Sequence, residues 1–161
     1  MDTQEYRSLV EGRMRTSGYE VRSSTPTGLL GYRKDFRMSW MATTLHLFVH
    51  VATTTTVTEP ELAAFTAQAL QHAKDTKGEL RGLQSGVAVI TAVVGEGSDE
   101  GAREYARHEI VRGYAAFAWP VVVDLGAAGR IAHEGRVALG GIYSSWMRAQ
   151  IDAVVPEPRT L

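Results

Sequence analysis

The apolar positions in the first third of the chain change from helical spacing to strict alternation. Between Tyr6 and Met14 they recur every three or four residues, which predicts a helix that ends at Ser17-Gly18. Apolar and polar residues then alternate in three successive stretches, which predicts a meander of three strands at residues 19–23, 29–40 and 45–51. The third strand has apolar residues on both faces, so we expect both faces to be covered.

The second predicted strand has one aromatic face and one charged face. Tyr32, Phe36 and Trp40 share the first face, whereas Arg33 and Arg37 share the second. We expect the aromatic face to lie in the core and the arginine face in water. Because rings and guanidinium groups then point in opposite directions, the pattern does not favour a platform on which nucleic acid bases stack.

The second half of the chain alternates helices with strands. Thr58-Glu59-Pro60-Glu61 has the residues of a capping box with proline in the first turn, which predicts a helix that ends at Lys77. A β-branched stretch at 87–94 predicts a central strand, and Ser98 begins a shorter helix. A strand at 115–125 contains Pro120, which indicates a sheet edge, a bulge or a strand that starts only at Val121. The last elements are a hairpin partner at 130–134 and an amphipathic helix at 142–154.

These elements predict one α+β domain over residues 1–161, in the order α-βββ-α-β-α-ββ-α. A meander followed by strands that are separated by helices indicates a single mixed, mainly antiparallel sheet with helices packed on it. Residues 156–161 follow the last helix, and we expect them to form a flexible tail.

Composition narrows the classes of function. The chain has 17 Lys and Arg against 18 Asp and Glu, so no basic excess can neutralise a nucleic acid backbone, and we expect no nucleic acid partner. The longest apolar run, 86–95, is too short to cross a bilayer, so we expect no membrane partner. The absence of cysteine excludes disulfides and thiolate metal sites, and it favours a cytoplasmic location.

Two glycine-rich stretches have the appearance of cofactor motifs. Residues 122–129 resemble the first motif of Rossmann-like methyltransferases, but too few residues follow Gly129 to build the βα units that this fold requires. Residues 95–101 contain three carboxylates, which would repel a pyrophosphate. We interpret the first stretch as a hairpin and the second as a solvated loop, and we expect no cofactor.

His46 and His50 are candidate ligand-binding residues on the third predicted strand. Four residues of extended chain separate them by about 13 Å, so they cannot share one metal ion. Each would need a partner from another strand, and Asp35 or Glu134 could supply a carboxylate. The alternative is that both histidines are buried side chains that neighbours satisfy. No third ligand is placed by the sequence, and we expect no metal site.

Gly140-Gly141 precedes the last helix, and Ser144 lies in its first turn. Free N–H groups at this position would suit a small anion. Packing is the competing interpretation, because glycines let a helix start close to a sheet. We favour packing, since no basic residue is placed nearby by the sequence, and we keep all three residues as candidates for ligand binding.

The opening order of elements, over residues 3–94, resembles the core of restriction-endonuclease-like nucleases. In that family, acidic residues on the second and third strands and a lysine on the third bind a divalent metal ion and position water. Asp35 matches the first acidic position and Glu11 a helix carboxylate, whereas the third strand, 45–50, has neither a carboxylate nor a lysine. The resemblance therefore implies a similar fold without the metal-dependent hydrolytic site.

A second resemblance concerns residues 69–96, 120–125 and the segment Gly140-Gly141-Ile142-Tyr143. These stretches look like a small uncharacterised prokaryotic protein family. The resemblance implies no activity and transfers no site residue.

Two hypotheses of function remain open. The first is a non-catalytic interaction or binding module that forms a homodimer, because the chain has three Trp, six Tyr and five Met but no coherent set of acid, base and nucleophile. The second is an enzyme or a binding protein for an unidentified small ligand, with His46, His50, Asp35 or Glu134 converging on one pocket. The sequence identifies no catalytic residue.

Overall fold

The computed structural model describes residues 1–77, 85–113, 116–137 and 141–161. Within these ranges the helices are α1 (Thr3–Thr16), α2 (Glu59–Lys77), α3 (Glu100–His108) and α4 (Gly141–Val154). The first five strands are β1 (Glu20–Ser24), β2 (Gly28–Arg37), β3 (Thr43–Thr53), β4 (Thr56–Val57) and β5 (Ser85–Gly95). The later strands are β6 (Gly97–Ser98), β7 (Val111–Gly113), β8 (Ala116–Asp124) and β9 (Gly129–Ile131). Short 3₁₀ turns lie at Met38–Trp40 and Pro158–Thr160.

The main sheet has the strand order β1-β2-β3-β5-β8-β7, and β9 also pairs with β8. Strands β1, β2 and β3 form an antiparallel meander. Strands β3, β5 and β8 are parallel, and β7 and β9 pair antiparallel with β8. The short strands β4 and β6 pair separately. The predicted α+β class, the mixed and mainly antiparallel sheet and the order of the main elements are confirmed; the sequence did not predict β4, β6 or β7.

Helices cover both faces of the sheet. Helices α1 and α4 contribute Tyr6, Met14 and Met147 to the core on one face. Helices α2 and α3 contribute Leu62 and Ala106 to the apolar clusters on the other face. In the part of the chain that the structure describes, none of the helices is long and apolar enough to cross a membrane.

Strand β3 confirms the expectation that both of its faces are covered. Its odd-numbered positions, from Leu45 to Val51, belong to the core beneath α1 and α4. Phe48 on the opposite face packs beneath α2 and is fully buried. A strand with a neighbour on each side and a helix layer on each face has no solvated surface, so apolar residues occupy successive positions.

The faces expected for β2 are only partly right, because Tyr32 packs half-buried against the apolar cluster beneath α2 as expected, but other positions do not follow the pattern. Leu29 and Gly31 are buried beneath α1, whereas Phe36 is exposed on the face expected to be core. A Cβ on Gly31 would lie 2.7 Å from Sδ of Met14, which shows how closely α1 approaches this strand. The alternation also ends at Arg37, because the 3₁₀ turn that follows directs Trp40 towards α4.

Pro120 lies inside β8, at a position where the strand lacks a neighbour on one side. Strand β7 pairs with β8 only as far as Ala118, and β9 pairs with it from Val122 onward. A residue without an N–H is tolerated at such a local edge. Ala115, which we expected to begin this strand, lies outside the described residues.

The methyltransferase-like stretch is a hairpin, as predicted. Asp124 pairs with Gly129 across the β8–β9 turn, and its Oδ1 accepts a hydrogen bond of 2.8 Å from the N–H of Ala127. Its Oδ2 accepts a hydrogen bond of 2.6 Å from the hydroxyl of Ser98. The aspartate is only 4% exposed, so its carboxylate is used to close the turn.

Residues 156–161, for which we expect a flexible tail, follow α4 directly. The backbone carbonyl of Pro156 accepts a hydrogen bond of 2.5 Å from the hydroxyl of Tyr6 on α1. The carboxylate of Glu157 lies 3.8 Å from Nε of Arg130. The start of this segment therefore contacts both α1 and the β8–β9 hairpin.

Candidate functional site

The structure places the predicted site residues of β2 and β3 on opposite faces of the sheet. His46 pairs with Lys34 and faces α2, together with His50. Asp35 pairs with Leu45, whose side chain lies in the core beneath α1 and α4. The carboxylate of Asp35 lies 3.8 Å from Nε of Arg37. Asp35 therefore does not converge with either histidine.

His46 is held by an aromatic neighbour. It is 8% exposed, and its Nδ1 lies 2.8 Å from the hydroxyl of Tyr32 on β2, at hydrogen-bonding distance. The guanidinium of Arg22 lies 3.8 Å from the centre of the Tyr32 ring, and burial raises the pKa of that tyrosine. This arrangement supports the interpretation of His46 as a buried histidine that its neighbours satisfy.

His50 has a different environment. Its ring lies between Phe65 and His72 of α2, with ring centres 6.3 Å and 5.2 Å away. Within the described ranges its buried Nε2 has no hydrogen-bond partner. Burial, reinforced by the charge of His72, lowers the pKa of His50 from 6.5 to about 4. The imidazole is therefore neutral at pH 7.

His72 is the residue of this region that sequence reasoning missed. The ring of His72 also contacts Phe48, with 5.8 Å between ring centres. His72 therefore lies on the face of α2 that covers β3. The seven-residue spacing between Phe65 and His72 places both on one face of a helix, and this spacing is the only signal that the sequence carries. Nothing in the pattern shows that this helix face meets β3.

The structure bears on both interpretations of the start of α4, which are ligand binding and close packing against the sheet. Gly140 lies outside the described residues. A Cβ on Gly141 would meet no atom within 4 Å, so close packing does not require glycine at that position. The hydroxyl of Ser144 donates a hydrogen bond of 2.8 Å to the carbonyl of Gly141. That hydroxyl is occupied within the helix itself.

Glu134 lies in a cleft of about 210 Å³ on the α4 side of the sheet, away from His46 and His50. Arg130 in this cleft is neutralised by Asp152 at 2.6 Å and is close to Glu157. Arg148 donates a hydrogen bond of 2.6 Å to the carbonyl of Gly135. The cleft therefore has no excess of either charge. The four residues proposed for one pocket do not converge in the structure.

Larger groups of metal-ligating side chains are absent from the described parts of the chain. Among those residues no group of three or more histidines, aspartates and glutamates is placed to hold a metal ion. Asp35 and Glu11, which match acidic positions of the nuclease pattern, interact with arginines instead, at 3.8 Å and 2.7 Å respectively.

Large exposed apolar side chains occur at the end of β2, in the turn that follows it and in the first turn of α4, the helix that this turn contacts through Trp40. Phe36 is 53% exposed, Met38 is 75%, Met41 is 81% and Ile142 is 53%. We call these four residues the methionine patch. Single exposed apolar residues are common, but a group of large ones at one end of a domain is typical of an interaction surface.

Buried aromatic contacts lie next to the methionine patch. Trp40 is buried and packs edge-on against Tyr143 and Trp146, with ring centres 5.3 Å and 5.1 Å away. These contacts connect the 3₁₀ turn to the first two turns of α4, where Ile142 precedes Tyr143 in the chain. Met41 and Ala42 have φ angles of 56° and 58°, a left-handed conformation that is unfavourable for residues other than glycine.

Comparison with protein-family models and with curated proteins found no match to this chain.

Proposed function

We propose that this protein is a non-catalytic interaction module that forms a homodimer through the methionine patch. The observation that carries the proposal is the exposure of its four large apolar side chains above the buried Trp40. Apolar area that leaves water on association stabilises a complex by about 25 cal/mol per Å². Four large side chains can therefore supply a substantial part of the free energy of association, although ordering costs reduce the net gain.

The backbone of the patch supports a functional surface. Two consecutive left-handed residues, Met41 and Ala42, cost about 1–2 kcal/mol each relative to glycine. Strained conformations persist where the surrounding structure enforces them, and they cluster at functional sites. At this turn Met41 is exposed to solvent and the neighbouring Trp40 is buried. Methionine is flexible and polarisable, and it is common at surfaces that bind proteins.

The charges beside the patch favour a second copy of the same chain as the partner. Asp35 and Arg37 lie next to Phe36 and carry opposite charges. Within one chain the two side chains lie 3.8 Å apart, and a two-fold interface, which uses the same surface twice, lets the same two residues pair between copies.

A role without catalysis is supported by the separation of the ionisable residues. His46 and Asp35 lie on opposite faces of the sheet, and Glu134 lies in a different cleft. The absence of cysteine fits a reducing compartment, so we place this interaction in the cytoplasm.

Size-exclusion chromatography with light scattering tests the homodimer. We expect a mass of twice 17.6 kDa at micromolar concentration. Met41→Glu and Met38→Glu should shift the mass to the monomer, because each buries a charge in the interface. Leu161→Glu is the matched control, since Leu161 is also exposed but lies beside Leu125 and Ala128 at the β8–β9 turn. A monomeric wild-type protein, or a dimer that Met41→Glu leaves intact, would contradict the proposal.

A further inference from the structure

We propose that His50 and His72 form a binding site for a divalent transition metal ion of the zinc, nickel and copper class. The two imidazole nitrogens are the protein ligands, and the remaining coordination positions are open to water or a small anion. The site is independent of the methionine patch and of the proposed homodimer.

The separation of the two rings fits coordination of one ion. Two imidazole nitrogens on a tetrahedral ion, each about 2.0–2.1 Å from the metal, place their ring centres about 5 Å apart. The ring centres of His50 and His72 are 5.2 Å apart. The pair comes from a strand and a helix that pack together, so the backbone already holds the two residues at this separation. His46 on the same strand is not part of the site, because its Nδ1 faces the hydroxyl of Tyr32.

The unpaired nitrogen of His50 is the second observation. Its Nε2 is buried and has no hydrogen-bond partner among the described residues. A buried polar atom without a partner costs about 1–3 kcal/mol, and a bound ion is one of the explanations for such an atom. The adjacent hydroxyl pair does not satisfy it, since the Thr91 side chain is hydrogen-bonded to Thr66 at 2.9 Å. Coordination would satisfy Nε2 directly.

The chemistry of the pair determines the class of metal. Imidazole nitrogens suit zinc, copper and nickel, whereas magnesium and calcium require oxygen ligands. His72 is exposed, and rotation of its side chain can admit the ion from solvent. With two protein ligands, we expect an exchangeable ion.

Isothermal titration of the full-length, chelator-treated protein with zinc chloride tests the site. We expect saturable binding of one ion per chain, weakened about tenfold or more by His72→Gln because one of two ligands is lost. His72 is exposed, so this variant should fold normally, and circular dichroism checks that it does. His108→Gln is the matched control, since His108 is an exposed helical histidine beside Glu104 on α3. It should leave the affinity unchanged.

Nuclear magnetic resonance of the imidazole nitrogens gives a readout that does not depend on affinity. Zinc should shift the Nε2 resonance of His50 and one ring nitrogen of His72, and leave His46 unchanged. Three results would overturn the proposal: binding that does not saturate below about 1 mM, equal affinity in wild type and His72→Gln, or loss of affinity in His108→Gln. The last result would show binding to surface histidines in general.

Discussion

Acidification should destabilise the metal-free protein through His50. The pKa of His50 is about 4 in the folded chain and 6.5 when the ring is free in solvent. The unfolded state therefore binds a proton at a higher pH than the folded state does. The free energy of unfolding is unaffected by this group above pH 6.5, falls as the pH is lowered from 6.5 to about 4, and has no further dependence on it below that value.

The expected loss follows from the two pKa values. Each pKa difference of one corresponds to about 1.4 kcal/mol, so His50 accounts for at most about 3 kcal/mol of stability between neutral pH and pH 4. Desolvation of the ring is the larger cause, and repulsion from a charged His72 is the smaller one. The unpartnered Nε2 is consistent with a ring whose charged form nothing stabilises.

Urea unfolding at a series of pH values, in a buffer that contains a chelator, measures this loss. His50→Leu is the informative variant, because leucine fills a similar space between Phe65 and His72 without a titratable group. Its stability should equal or exceed that of wild type at pH 7, because the unsatisfied Nε2 is removed, and its advantage should grow by about 2–3 kcal/mol as the pH falls to about 4. His133, whose pKa is also lowered by burial, contributes equally to both proteins. Parallel pH profiles for the two proteins would refute the reasoning.

Two further predictions concern backbone turns. Asp124→Ala should lower the free energy of unfolding by about 3 kcal/mol, because the N–H of Ala127 and the hydroxyl of Ser98 both lose their acceptor. Urea unfolding measures this loss and should show a clearly smaller one for Asp124→Asn. Equal losses for the two variants would contradict the role of Asp124 in closing the turn. Ala42→Gly should raise the melting temperature by relieving about 1 kcal/mol of left-handed strain at φ 58°, and calorimetry that shows a lower melting temperature would contradict this assignment of strain.

The sequence predicted strands well where both faces are covered. In β3 the alternation assigned Leu45 and Phe48 to opposite faces, and both are buried because helices cover each side of this central strand. In β2 the same reasoning failed for Phe36. Alternation shows which residues share a face, but the packing of α1 and α2 determines which face is covered.

The candidate site was predictable only in part. The spacing of His46 and His50 on a strand predicted that the two side chains have separate surroundings, and the structure gives them different neighbours. The spacing could not show that Tyr32 would lie beside one histidine and His72 beside the other, because these neighbours come from the register of β2 and the position of α2. The methionine patch could not be predicted from the sequence either. The alternating pattern continues through Met38–Trp40, whereas the structure has a 3₁₀ turn there.

Disulfide cross-linking tests the proposed homodimer most directly. The chain has no cysteine, so Met41→Cys introduces a single thiol in the methionine patch, at its most exposed residue. An interface with two-fold symmetry brings equivalent residues together, and a disulfide forms when their Cα atoms are about 4.4–6.8 Å apart. Mild oxidation at micromolar concentration should convert Met41→Cys or Met38→Cys to a covalent dimer, while Leu161→Cys stays monomeric. Equal and slow cross-linking of all three variants would contradict the account.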